Sequence, residues 1–318
     1  MGKRTMRALL TGLLIGGLAL SCMAGEPVVS RNNIVMGGST LGLRNATQQD
    51  IELTFNAVLK ELLTSSGTGI SVVVFESTEE LYAAFDHGKV DGIFGTAVEY
   101  LGREHKLGKE AMSLKYKNAE MKQRLLLVVR NNIGVSRLGD LKNRRLTLAK
   151  YQDVETIYLN TLLLKNKLPE IPGFFAEQRD AKNPNIAMMD VFFEKSDATI
   201  IRESEFQTAV ELNPQIGKKL IVLAQSPLYL PTLGGVKKEV RGDNLNDLVK
   251  ALGKITSTEK GRKLLGISQA SSIESISLDE VQSVRDLLAE YQSLKNQRDR
   301  AAVVPGVTRR SKDDLHAR

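Results

Sequence analysis

Residues 87–101 read HGKVDGIFGTAVEYL. The run VDGIF is strand-like and stops at Gly95-Thr96, where a helix-like run starts at once. The junction leaves almost no room for a loop. In α/β folds a strand end that feeds a helix N-terminus points backbone N–H groups into a crevice, and ligands collect there. The stretch is therefore expected to form one wall of a cleft, with Gly95, Thr96 and Ala97 as contacts. A plain tight turn uses the same residues. Tyr100, one turn further on, is expected to pack.

The same alternation extends on both sides. NIVMGG is strand-like, and TQQDIELTFNAVLKELL follows with Ile51, Phe55, Val58, Leu59 and Leu62 at helical spacing. ISVVVF is a β-branched strand. STEELYAAFDHG follows it as a helix, with Ser77 as N-cap, Glu80 three residues on and Gly88 at its end. Repeated strand and helix with short connections predicts a mostly parallel sheet covered by helices.

A second set begins near Lys122. QRLLLVVRNN and RLTLAKY read as strands, and DVETIYLNTLLLKN as a buried helix ended by Pro169 and Pro172. PNIAMMDVFFEK is helical, SDATIIR a strand, ESEFQTAVELN a helix and KKLIVLAQS a strand. After Pro227 comes a Pro- and Gly-bearing return, SPLYLPTLGGVKKEV. Two short helices follow, and then a long one with Val281, Val284, Leu288 and Tyr291 in one stripe. That stripe is expected to pack on the first strand-helix set.

The chain has 318 residues with 42% hydrophobic and 25% charged content, ordinary for a globular protein of two domains. Its start reads as an export signal: Lys3, Arg4 and Arg7, then the apolar run ALLTGLLIGGLAL, then small residues with cleavage after Ala24. Lipidation at Cys22 is the alternative, through a weak lipobox. Cys22 is the one cysteine. Cleavage after Ala24 leaves a chain without disulfides, thiolate metal ligands or a cysteine nucleophile. The net charge of +7 is concentrated at the ends, because residues 1–24 carry three Lys/Arg and no acids while residues 295–318 carry seven Lys/Arg against three Asp. The near-neutral body gives no basic face for nucleic acid.

Three stretches together resemble the solute-binding proteins of ABC transporters, in the phosphate/phosphite/phosphonate-binding branch. They are STEELYAAFDHGKVDGIFGTAVEYL, LLLVVRNNIGVSRLGDLKNRRLTLA, and SDATIIRESEF with NPQIGKKLIVLAQSP. The likeness runs over roughly residues 33–265. It implies a type 2 periplasmic binding protein: α/β, with two Rossmann-like lobes of mixed sheet, joined by two crossing strands, and a solute in the interlobe cleft. On that reading 1–24 is a signal peptide, 25–124 and 225–297 form lobe 1 with the C-terminal helices, 125–224 is lobe 2, and 298–318 is a disordered basic tail. The resemblance further implies a periplasmic monomer that captures an oxyanion or small organic acid and delivers it to an ABC permease. Docking on a membrane receptor or sensor kinase is the alternative.

One departure from that family stands out. Its Ser/Thr- and Gly-rich oxyanion loop would fall at AKYQDVETIY in this chain. Asp153 is expected to cap the helix there, and with Glu155 to repel a dianion, which Lys150 offsets only in part.

Candidate contacts follow from strand ends. Ser39 and Thr40 close the first strand with hydroxyls beside glycines. Glu76 and Ser77 close the second, where Ser77 also reads as a plain cap. Lys150, Tyr151 and Gln152 precede the lobe 2 helix, and Tyr151 and Gln152 suit an organic solute. Arg202 and Glu203 follow DATII, so that Arg202 either clamps a carboxylate or pairs with Glu203 on the surface. Tyr229 in the return crossing reads as hinge packing.

No enzyme is expected. His87 and His105 sit in a helix end and a charged turn, and His316 in the tail. No Ser-His-Asp order, zinc spacing, P-loop or dinucleotide fingerprint is present, and no cofactor or metal is implied.

Overall fold

The structure is a computed structural model. It describes residues 33–39, 47–63, 69–116, 120–150, 153–240, 243–267 and 269–303. The proposed signal segment, Thr40, Tyr151, Gln152 and the tail beyond residue 303 lie outside these.

The first half opens with β1 (Asn33–Ser39), α1 (Gln48–Leu62), β2 (Gly69–Phe75), α2 (Thr78–Asp86), β3 (Gly92–Thr96), α3 (Ala97–Leu101) and the ten-residue β4 (Leu107–Tyr116). The second set is β5 (Leu125–Arg130), β6 (Arg145–Ala149), α4 (Asp153–Lys165), α5 (Ile171–Phe174), β7 (Glu177–Ala181), α6 (Pro184–Phe192), β8 (Ala198–Arg202), α7 (Glu203–Leu212), α8 (Pro214–Lys219) and β9 (Leu220–Gln225). The chain then returns through β10 (Thr232–Lys237), α9 (Asp243–Gly253), α10 (Glu259–Ile267), β11 (Ala270–Ile276) and α11 (Gln282–Val303).

Two mixed sheets result, ordered β11-β4-β10-β3-β1-β2 and β7-β6-β8-β5-β9. In the first, β1, β2 and β3 run parallel, while β10 inserts antiparallel between β3 and β4. In the second, β6, β7 and β8 run parallel and β5 lies antiparallel between β8 and β9. This is the two-lobed α/β architecture with mixed sheets that the resemblance implies; the strand-helix alternation alone predicts a mostly parallel sheet, and the antiparallel ladders of β4, β5, β9, β10 and β11 correct it. The chain crosses between lobes twice, and the crossings pair with each other. Gln123 and Tyr229 exchange backbone hydrogen bonds of 2.7 and 2.9 Å, and the Leu125 N–H donates to Ser226 Oγ at 2.8 Å.

Core strands are apolar on both faces because helices cover both. Leu125, Leu127 and Val129 of β5 join a core with Leu146, Leu159 and Phe174, while Leu126 and Val128 face Met188 and Val191 of α6. In the first lobe α1 and α10 bury Phe55, Val58 and Leu264 beneath the sheet.

The free edge of β2 carries an unexpected device. Gln48, Glu52 and Asn56 repeat every four residues on α1, so they share one face. Gln48 donates to the Val74 carbonyl at 2.6 Å, Glu52 accepts from the Val74 N–H at 2.6 Å, and Asn56 brackets Val72 at 3.0 and 2.7 Å. Side chains of one helix thus stand in for a missing neighbour strand and block edge-to-edge pairing. Asn56→Leu, which strips Val72 of both partners, is expected to cost about 1–3 kcal/mol. It should also promote self-association, visible as a lower Tm with an added large species in light scattering. An unchanged Tm in a monodisperse variant contradicts this role.

The long α11 differs from expectation. Val281 just before it and Val284 and Leu287 within it are buried, but α11 packs mainly along α4 of the second lobe. Tyr291 donates to Glu170 at 2.6 Å and Lys165 pairs with Glu290 at 2.8 Å, while Arg285 reaches back to Glu104 of the first lobe. The stripe identifies a buried face without saying which neighbour buries it.

Candidate functional site

The C-terminal ends of the parallel strands in the two sheets approach each other at the β3–α3 junction and the start of α4. Thr96, 3% exposed, caps α3. Its hydroxyl accepts from the Glu99 N–H at 3.1 Å, and the Glu99 carboxylate accepts from the Thr96 N–H at 3.0 Å. The Ala97 N–H donates to the Pro231 carbonyl at 3.1 Å. These amides are satisfied within the chain, so the junction offers the cleft the Thr96 hydroxyl rather than a nest of N–H donors. Glu99 is itself buried and takes a further hydrogen bond of 2.8 Å from Thr78. Gly95 leaves room for the Glu99 carboxylate, since a Cβ there would lie 2.3 Å from Glu99 Oε2 and displace it.

The Thr96 hydroxyl donates across the interlobe gap to Asp153 Oδ2. Asp153 is the first residue of α4, and its other oxygen accepts from the Val154 N–H at 2.6 Å. The capping role expected from sequence thus becomes a bridge between lobes. Burial pushes the Asp153 carboxyl up to about 7, against the opposing Thr96 hydrogen bond and with help from the nearby Glu155 and Glu99 charges.

Arg202 ends β8 and is buried. Its Nε donates to Glu155 Oε1 at 3.1 Å, and its Nη1 donates to the Tyr116 hydroxyl at 3.2 Å. Tyr116 closes β4 of the first lobe and shares a 2.7 Å hydrogen bond with Thr232. A second polar bridge between lobes therefore runs Glu155–Arg202–Tyr116–Thr232. The surface pair of Arg202 with Glu203 does not form. Glu203 instead lies 3.9 Å from Arg124, and its N–H donates to the Arg124 carbonyl at 2.9 Å.

Of the remaining candidates, Ser39 is fully buried at the end of β1. Glu76 is exposed and its N–H donates to Glu80 at 3.2 Å, while Ser77 serves as the cap of α2. The Lys150 side chain is exposed on the turn after β6. Thr40, Tyr151 and Gln152 lie outside the described residues. The residues drawn together are therefore Thr96, Asp153, Glu155 and Arg202. Tyr116 and Thr232 were not anticipated, because β4 carries no motif and β10 reads as a Gly-Pro return.

Tyr229 is buried against Tyr158 with ring centroids 6.2 Å apart, at the crossing, as packing. Two apolar cavities of about 30 Å³ each lie away from this gap, under α9 in the first lobe, lined by residues such as Met36, Phe94, Leu248 and Leu252. Among the described residues no helix is long and apolar enough to cross a membrane, and no group of three or more His, Cys, Asp or Glu is placed to hold a metal ion.

Known proteins share this architecture. The chain is similar to a binding protein component of an ABC phosphonate transporter from Pseudomonas aeruginosa, at 15% identity and TM-score 0.61, over 83% of this chain and 87% of that one. It is similar to PhnD1 from Prochlorococcus marinus, solved with methylphosphonate, at 12% identity and TM-score 0.58, over 80% and 97%. The periplasmic aliphatic sulphonate binding protein SsuA from Escherichia coli aligns at 12% identity and TM-score 0.50, over 87% and 90%. No curated protein matches the chain. At these identities the structures establish the fold, the type 2 periplasmic binding protein. Residues 43–281 match the family model described as ABC transporter, phosphonate, periplasmic substrate-binding protein. With most of its length matched, and with the two-lobed fold that the family adopts, the chain belongs to the phosphonate-type periplasmic substrate-binding proteins of ABC transporters.

Proposed function

We propose that the chain holds a small solute between its lobes at Thr96, Asp153 and Arg202, and releases it to its ABC permease as the lobes part. The supporting observation is the pair of polar bridges, Thr96 to Asp153 and Arg202 to Tyr116, that join opposed strand ends across the gap. Each bridge joins groups from different lobes, so a solute entering there reports directly on lobe closure. Lobe 1 on this reading spans 25–124 and 225–297, and lobe 2 spans 125–224. The protein acts as a monomer in the periplasm, either freed by cleavage after Ala24 or anchored through Cys22. Docking on a sensor kinase has no observation in its favour.

The two basic candidates leave little for an oxyanion or a small organic acid. Arg202 is already matched by Glu155, and Lys150 points to solvent. The experiment is thermal stabilisation of the chain from Gly25 against phosphate, phosphite, alkylphosphonates, sulfonates, carboxylates, amino acids and thiamin-like amines. A solute at about 100 times its Kd adds roughly 2.7 kcal/mol, a clear shift in Tm. A flat panel removes the support for solute capture.

A further inference from the structure

Anions are held by three kinds of group: helix N-terminal amides, hydroxyl donors and guanidinium cations. The gap between the lobes contains all three, and each is taken by a carboxylate of the chain. Glu99 receives the Thr96 N–H, Asp153 receives both the Val154 N–H and the Thr96 hydroxyl, and Glu155 receives Arg202 Nε. Asp153 is distinctive because its two oxygens join donors from different lobes. A solute anion bridging the lobes would make the same two contacts.

On the reading of the gap as the solute site, we infer that Asp153 is its specificity-determining residue: the carboxylate occupies the seat of a solute anion, so the cleft refuses phosphonate and phosphate and takes a solute whose inward group is a hydrogen-bond donor. The groups that face Asp153 reinforce this. Glu99 stands on α3, Glu155 on its own helix, and the Tyr82 phenol on α2 is near enough to feel its charge. A phosphonate dianion entering here meets like charges at short range in a partly desolvated site, where Coulomb repulsion is strong. A carboxylate accepts hydrogen bonds and donates none when ionised, so amine or hydroxyl groups complement it.

The test is calorimetric titration at pH 8 of the wild-type chain and of Asp153→Ser and Asp153→Asn, each with methylphosphonate and with inorganic phosphate. Thermal melts first establish that both variants fold. The wild type should show no saturable binding of either anion. Asp153→Ser, which vacates the seat and adds a hydroxyl donor, should gain on the order of a hundredfold in affinity for at least one of them. Asp153→Asn, neutral but still filling the seat, should gain less. Wild-type binding of methylphosphonate as tight as that of the serine variant overturns the inference while leaving solute capture intact. Folded variants that remain blind to both anions also overturn it. Failure of solute capture itself has a separate signature, a wild-type chain flat against the amine- and hydroxyl-bearing solutes of the panel as well.

Discussion

Asp153→Asn is expected to stabilise the folded chain at pH 8 by about 2–4 kcal/mol, the penalty of holding a carboxylate charged where burial lifts its pKa to about 7. The sign follows from linkage. The folded chain binds this proton more tightly than the unfolded chain does, so the contribution of Asp153 is fully present below about pH 4. It is lost as pH rises through about 7. Wild type and variant should therefore be nearly equal in acid and diverge between those limits, with the variant the more stable above pH 7. Other carboxylates run the opposite way. Asp86 is held at about 2 by hydrogen bonds from Arg103 and Lys106, and Asp140 at about 2 by the Ser136 and Arg137 hydrogen bonds. They favour the folded chain as pH rises through the acid range, which is why the informative quantity is the difference between the two proteins. Urea unfolding at pH 4, 5.5, 7 and 8.5 gives it directly. A difference that does not change with pH shows that Asp153 is ionised at little cost.

The second large effect concerns Arg202. Its guanidinium and the Glu155 carboxylate are 9% and 1% exposed, and the two are 3.1 Å apart. Arg202→Met leaves the Glu155 charge buried without its cation, and breaking one side of such a pair costs about 3–5 kcal/mol. The Tyr116 hydroxyl also loses its contact with the second lobe. Adding Glu155→Leu should recover most of the loss, because an apolar pair of similar volume needs no solvation. The double variant should nonetheless lose a bridge between lobes, and its scattering profile should be more expanded than that of the wild type. A single variant that loses less than about 1 kcal/mol places the pair in the class of solvated surface ion pairs.

Much of this architecture is legible in the chain because local chemistry and global fold agree. The β3–α3 junction announces itself: VDGIF needs a strand, and a helix-like run follows Gly95-Thr96 with no room for a loop, although the capping box that Thr96 forms with Glu99 was not anticipated. The strands of the second lobe are equally plain, since β5 and β8 are apolar on both faces. What escaped reading has physical reasons. The β7 strand, EQRDA, is a sheet edge whose charges face solvent, and its composition suits a loop as well. The β10 strand carries adjacent glycines that suggest a turn. In the sheet Gly235 is needed because a Cβ would lie 2.8 Å from the Tyr100 ring. The β4 strand takes its identity from two neighbours, β10 and β11, far along the chain.

The site was legible only in part. Thr96 and Arg202 are candidates because strand ends in α/β lobes face the cleft. Asp153 and Glu155 drew attention at the start of α4, but their pairing was not legible, because Asp153 lies 57 residues from Thr96, Glu155 47 residues from Arg202 and Tyr116 86 residues from Arg202. Expecting free amides at the junction was reasonable from the strand-to-helix turn alone. The buried Glu99 side chain and the Pro231 carbonyl take them instead, and only the folded chain brings Pro231 to α3.

A solute held where the two lobes meet should leave its mark on both. Hydrogen exchange on the first solute that stabilises the chain tests it most directly. New protection is expected in 95–99, 153–156 and 202–205 together, since these segments from both lobes would close on the same molecule. Protection confined to one lobe, or centred on the apolar cavities under α9, would contradict it.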